Sequence, residues 1–169
     1  MAESQLLKTP DGFDLALEYV EVPAATKAVI FAHGMTVSRT DEGICVRSAK
    51  ILNDLGISTM RFDFRAHGES SGLPEKDFTI SGELIDLTVI FDWVKKDGFE
   101  KIGLAGASFG GAIASLFAGE HAAEIDRLAL INPVLNFDHC FLHPRLPWGK
   151  KYLTKYQESL AKKSLCSGW

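Results

Sequence analysis

The chain has 169 residues, and 18 Lys and Arg against 22 Asp and Glu give it a formal net charge of −4. Hydrophobic residues at 46% and charged residues at 24% exclude a disordered tail, collagen and a coiled coil, and the acidic balance argues against nucleic acid as a partner. No apolar run reaches the roughly 18 residues of a membrane span, so no stable membrane insertion is expected.

The N-terminal Met1-Ala2-Glu3-Ser4-Gln5 lacks the basic and apolar stretches of a signal peptide. Three widely separated cysteines, Cys45, Cys140 and Cys166, fit a reduced, cytoplasmic protein better than a disulfide framework.

The first element is a hairpin: a short strand at Gln5 to Thr9, a turn at Asp11-Gly12 and an alternating strand from Phe13 to Val22. Lys27 to Ala32 is a short apolar run, which suits a strand buried on both faces of a parallel sheet. After His33-Gly34-Met35, Asp41 is the expected N-cap of a helix that ends near Leu55 with Gly56 as its stop. Ile57 to Phe62 is the next buried strand, followed by a loop from Asp63 to Gly72 that is rich in turn formers. Between Thr79 and Lys96, Ile80, Leu84, Leu87, Phe91 and Val94 step by four and three along one helix face, and Gly98 closes it. Lys101 to Ala105 is a strand, Phe109 to about His121 a helix, and Arg127 to Asn132 a strand stopped by Pro133. Strands alternating with helices predict an α/β fold with a mainly parallel sheet of about six strands.

Composition changes after Pro133. Residues 134–169 carry six Lys and Arg and two Asp and Glu, a local net of +4, which leaves −8 for residues 1–133. Residues 1–133 are therefore read as a core and residues 134–169 as a partial cap or lid. Lys150 to Lys163 has helical spacing within that lid.

The chemistry sits at Gly106-Ala107-Ser108-Phe109-Gly110, a Gly-x-Ser-x-Gly run between a predicted strand and a predicted helix. A tight strand-to-helix turn lifts the serine to its apex, and the flanking glycines avoid collision. The following helix directs its N-terminal amides and positive dipole end at the serine. His33-Gly34-Met35 follows the first parallel strand, where a glycine lets backbone approach a reacting carbonyl. The amides of Met35 and Phe109 are the expected oxyanion donors.

Together with Asp63-Phe64-Arg65-Ala66-His67-Gly68-Glu69-Ser70, these segments resemble the α/β-hydrolase fold, in its serine aminopeptidase-like and cinnamoyl or feruloyl esterase-like group. The resemblance covers roughly Gln5 to Pro133 and implies Ser108 as nucleophile, Met35 and Phe109 as oxyanion donors, and Asp63 to Ser71 as a structural loop. It implies a serine hydrolase working through an acyl-serine intermediate, with no cofactor and no metal; between esterase and peptidase, the simpler chemistry favours an esterase acting on a small-molecule ester.

That family places its acid and base after a seventh and an eighth strand, which this sequence does not contain, so the chain is expected to stop inside the cap. His121 would lie about 20 Å from Ser108, at the far end of its helix, too far to act as base. Asp138 and His143 are the substitute acid and base that the remaining residues offer, while His33 and His67 are scaffold histidines by resemblance. His139, Cys140 and His143 lack a metal-ligand spacing. The alternative reading is a non-catalytic hydrolase fragment or pseudoenzyme. A nucleotide-binding fold is disfavoured, because neither Gly-x-Gly-x-x-Gly nor Gly-x-x-x-x-Gly-Lys-Ser/Thr occurs. The last strand would form an open sheet edge, a surface for self-association.

Overall fold

The computed structural model describes residues 3–137, 139 and 140. Strands β1 (Glu3–Lys8) and β2 (Asp14–Val20) form an antiparallel hairpin. Thr9 closes its turn: the Phe13 carbonyl accepts the Thr9 N–H at 2.8 Å, and the Thr9 hydroxyl accepts the Phe13 N–H at 2.9 Å. Strands β3 (Lys27–Ala32), β4 (Ser58–Phe62), β5 (Lys101–Ala107) and β6 (Arg127–Ile131) complete a six-stranded sheet in the order β1-β2-β4-β3-β5-β6. The hairpin joins β4 antiparallel, and the other four strands are parallel. This is the α/β sheet that the alternation of apolar runs predicts.

Strand β4 lies on one side of β3, and β5 lies on the other. The direction of winding reverses between β3 and β5, and in open α/β sheets that reversal opens a crevice at the carboxyl ends of the strands. The residues that follow β3 and β5, His33 and Ser108, therefore face the crevice.

Helices α1 (Gly43–Asp54), α3 (Ile80–Lys96) and α4 (Ser108–Glu120) cover the sheet. Phe31, Ala105 and Ala107 pack with Cys45 and Ala49 of α1. Successive strand residues point to opposite faces, so Ile30 and Leu104 turn toward α3 and α4. There Leu87, Ile90, Phe91 and Val94 of α3 and Ile113 and Phe117 of α4 are buried, with the rings of Phe91 and Phe117 5.2 Å apart.

Four details differ from expectation. Asp41 does not cap α1: Glu42 holds that position without a side-chain cap bond, and the Asp41 carboxylate instead accepts the Ser38 hydroxyl at 2.7 Å. Strand β2 ends at Val20, because Val22 is drawn off to donate its N–H to the Ser58 hydroxyl at 3.0 Å. A short helix, α2 (Pro74–Asp77), lies in the loop before α3, with proline in its first turn and Asp77 accepting the Leu73 N–H at 2.7 Å. Strand β5 runs on to Ala107, and α4 starts at Ser108, with no connecting residue.

The chain divides into two compact units, Met1–Pro133 and Val134–Trp169. The first holds the whole described sheet. In the second, the Asn136 side chain accepts the His139 N–H at 2.9 Å. The helical spacing at Lys150 to Lys163 lies outside the described residues.

Among the described residues, strand β6 is an edge of the sheet, with Leu128 and Leu130 exposed. Beside it, Val29, Phe31, Ile51, Leu52 and Ile131 line an apolar hollow of about 380 Å³.

Candidate active site

The site begins with backbone strain at Ser108. Its φ is +52°, a left-handed conformation that a non-glycine residue seldom adopts. The extended Ala107 (φ −109°, ψ 137°) runs directly into it, so the chain passes from strand to helix within one peptide. This sharp turn presents the Ser108 side chain to solvent while Ala107 and Phe109 stay buried.

The flanking glycines are required by contact. A Cβ on Gly106 would lie 2.6 Å from the Gly110 carbonyl oxygen and 2.7 Å from Gly111 Cα. A Cβ on Gly110 would lie 2.1 Å from the His33 carbonyl oxygen. Both approaches are shorter than real side chains tolerate. The segment after β3 thus packs backbone against backbone on the first turn of α4.

Gly34 continues that packing. A Cβ there would meet Ser108 Cβ and Glu42 Oε2, each at 3.1 Å. Met35 is the next residue, and Thr36 after it is also left-handed, at φ +67°. Met35 and Phe109, the expected oxyanion donors, are therefore brought to the same crevice by β3 and β5, with Phe109 in the first turn of α4.

Three of the described histidines, His33, His67 and His121, make their contacts elsewhere. His33 is buried, and its Nε2 accepts the Phe64 N–H at 3.1 Å. Its Nδ1 must then carry the proton and donate to the Gly34 carbonyl at 2.8 Å. Burial pushes this imidazole down to about 4, so it is neutral near pH 7 and both its nitrogens are occupied. His67 Nδ1 is 2.9 Å from the Arg65 carbonyl. His121 closes α4, stacks on Phe117 at 4.1 Å and lies 3.0 Å from Glu124. Among the described residues, no histidine or carboxylate hydrogen-bonds the Ser108 hydroxyl. Asp138 and His143 lie outside the described residues.

Asp63 stands at the end of β4, but its carboxylate is fully occupied. It accepts the Arg39 N–H at 2.6 Å and the Glu69 N–H at 2.9 Å, and it pairs with the Arg39 guanidinium. Next to this loop, Met35, Val37, Asp41, His67, Pro74 and Phe78 line a cleft of about 380 Å³. Ring contacts run from Phe109 to Phe78 at 5.0 Å, from Phe78 to His67 at 5.3 Å and from His67 to His33 at 5.1 Å. Sequence reasoning did not single out Phe78 or Glu42, since one looks like a core aromatic and the other like a helix-start acid.

A mostly parallel sheet carrying a left-handed serine at a strand-to-helix junction, beside a His-Gly loop from the neighbouring strand, defines the α/β-hydrolase class. The sequence model described as "Serine aminopeptidase, S33" matches residues 23–168, and the chain belongs to that family. It is similar to lysophosphatidylserine lipase ABHD12 of Xenopus tropicalis, at 27% identity over 135 residues, 78% of this chain and 34% of that protein. Abhydrolase domain-containing protein lid-1 of Caenorhabditis elegans is 36% identical over 72 residues, 43% of this chain and 20% of that protein. Among solved structures, the esterase Pf2001 of Pyrococcus furiosus superposes with a TM-score of 0.76 at 28% identity, covering 96% of this chain and 58% of that one. Est1E of Butyrivibrio proteoclasticus, solved with ferulic acid bound, gives 0.67 at 29% identity, covering 73% of this chain and 50% of that one. The chain spans at most about a third of these curated relatives and little more than half of these solved chains.

Proposed function

We propose that this chain carries the nucleophile and oxyanion donors of a serine esterase acting on small carboxylic esters. Ser108 Oγ attacks the ester carbonyl carbon while a base takes its proton. The amides of Met35 and Phe109 hold the negative oxygen of the tetrahedral intermediate. The carbon–oxygen bond to the alcohol then breaks, and the alcohol leaves with the proton. Water repeats the attack on the acyl-Ser108 ester, releasing the carboxylic acid and restoring the serine. No cofactor or metal enters this reaction.

The observation that carries this reading is the left-handed Ser108 at the end of β5, packed against the backbone of Gly34. A scaffold serine needs neither the strain nor the close approach. Within this chain, Asp138 and His143 are the substitute acid and base that the residues after Ser108 offer. Residues 1–133 serve as the catalytic core and residues 134–169 as part of a cap. The odd cysteine count supports a cytoplasmic location, and the acidic core gives no reason to expect nucleic acid. Among the described residues, no helix is long and apolar enough to cross a membrane.

One observation favours a second reading, a non-catalytic relative: no described base touches Ser108. A fluorophosphonate probe followed by intact mass spectrometry separates the two. The esterase reading expects one adduct per chain, absent in Ser108→Ala and strongly slowed in His143→Ala. An unmodified wild-type chain that is soluble and folded supports the non-catalytic reading. Full labelling of His143→Ala removes that histidine from the mechanism.

A further inference from the structure

We infer that Glu42 is a positioning residue for the oxyanion-stabilising segment, a role that rests on the esterase reading above. Glu42 holds the position before the first turn of α1, where a short polar side chain normally caps the helix amides. It makes no such bond. Its carboxylate reaches back eight residues instead and accepts the Gly34 N–H at 3.2 Å. Ordinary helix chemistry is set aside at this residue, and such departures gather at functional sites.

The surroundings explain what the contact does. Gly34 precedes Met35, whose amide is the proposed donor, so a bond to the Gly34 N–H fixes the backbone leading into that donor. Thr36 is left-handed, a conformation that persists only where neighbours over-determine it. Two anchors hold the segment. The Ser38 carbonyl accepts the N–H groups of Asp41 and Glu42 at 3.2 and 3.1 Å, closing its far end. The Glu42 carboxylate ties the near end. Glu42 Oε2 and Ser108 Cβ each lie 3.1 Å from the one point a Gly34 side chain would occupy. The anchor therefore sits beside the nucleophile. It also occupies the Gly34 amide, leaving Met35 as this segment's donor to the reacting oxygen.

Removing a single oxyanion donor costs about 10²- to 10³-fold in kcat, and a donor left in place but loosely held should cost less, roughly tenfold or more. The test compares Glu42→Gln, Glu42→Asp and Glu42→Ala in the full chain, with p-nitrophenyl acetate as substrate and fluorophosphonate labelling as a second readout. Glutamine keeps the reach and an acceptor oxygen, whereas aspartate keeps the charge but is one methylene short. The expected result is Glu42→Gln near wild type, with Glu42→Asp and Glu42→Ala lowered in kcat and labelling rate at unchanged KM. That pattern marks loss of an interaction made in the transition state. Glu42→Asp decides the matter if Glu42→Ala does not fold. Retention of wild-type kcat by a folded Glu42→Asp overturns the role of Glu42 alone, as does a loss confined to KM. A wild-type chain that neither turns over nor labels overturns the esterase reading, and this role with it.

Discussion

The segments that follow β4 and β5 leave the same end of the sheet and treat their polar side chains in opposite ways. After β4, Asp63 is completely buried and surrounded by donors, and Arg39, which pairs with it, also pairs with Glu69. After β5, Ser108 is exposed and held in a strained backbone conformation, and its hydroxyl has no hydrogen bond among the described residues. The first arrangement holds a loop in place. The second leaves a hydroxyl ready for an incoming group. A polar residue at the carboxyl end of a strand is thus no guide to reactivity until its partners are counted.

The largest effect that sharpens this contrast is on chemistry. Ser108→Ala should abolish adduct formation and turnover, since losing a triad nucleophile costs about a million-fold, roughly 8–9 kcal/mol. Its thermal melt should match wild type, which differential scanning calorimetry checks. Asp63→Ala should do the reverse. It leaves the buried Arg39 guanidinium with the exposed Glu69 alone, and breaking a buried pair costs about 3–5 kcal/mol. Denaturant titration should show that loss, while folded molecules still label at Ser108. If Asp63→Ala melts normally but fails to label, the two loops have been assigned the wrong way round.

A smaller effect tests the backbone contact between β3 and α4. Gly110→Ala should lower stability by about 1–3 kcal/mol through overpacking and also slow labelling, because its Cβ would press on the His33 carbonyl. Gly119 lies in the same helix with nothing within 4 Å, so Gly119→Ala should raise stability by about 0.5–1 kcal/mol. Equal melting points for the two variants would argue against the contact.

The last predicted effect is a slope with pH. Glu83 is buried in α3, and burial lifts its carboxyl to about 9, with Asp86 adding to the rise and Arg65 opposing it. The folded chain keeps a proton that the unfolded chain has already lost, so stability falls as pH rises from about 4.5 toward 9. His33 acts in the opposite sense: its lowered value makes stability rise with pH between about 4 and 6.5. A net decline is therefore expected above about pH 6.5, and Glu83→Gln should flatten it in a series of thermal melts.

Much of the fold was legible because buried parallel strands are short continuous apolar runs, and Lys27 to Ala32 matches β3 residue for residue. Helix α3 was legible from the spacing of Leu87, Phe91 and Val94, and Thr79 caps it by accepting the Gly82 N–H at 3.0 Å. The serine turn could be read because its glycines are forced by contact, and contact leaves a mark in composition. Partnerships between distant side chains leave no such mark. Asp63 and Arg39 are 24 residues apart and meet only through the sheet. The carboxylate of Glu42 looks like any acid at a helix start, and its reach to Gly34 follows from a loop closed by the Ser38 carbonyl. Helix α2 was too short for periodicity to register.

The abutment of Gly110 on the His33 carbonyl joins two loops that the chain order separates by more than seventy residues. With no side chain between them to flex, the peptide that bears Ser108 and the peptide that leads to Met35 move as one body. Changes to the residues lining the cleft can then alter which molecules enter without shifting Ser108 relative to Met35. The crevice floor behaves like a fixed anvil, so variation in specificity is expected to accumulate around Phe78 and Val37 rather than at Gly34 or Gly110.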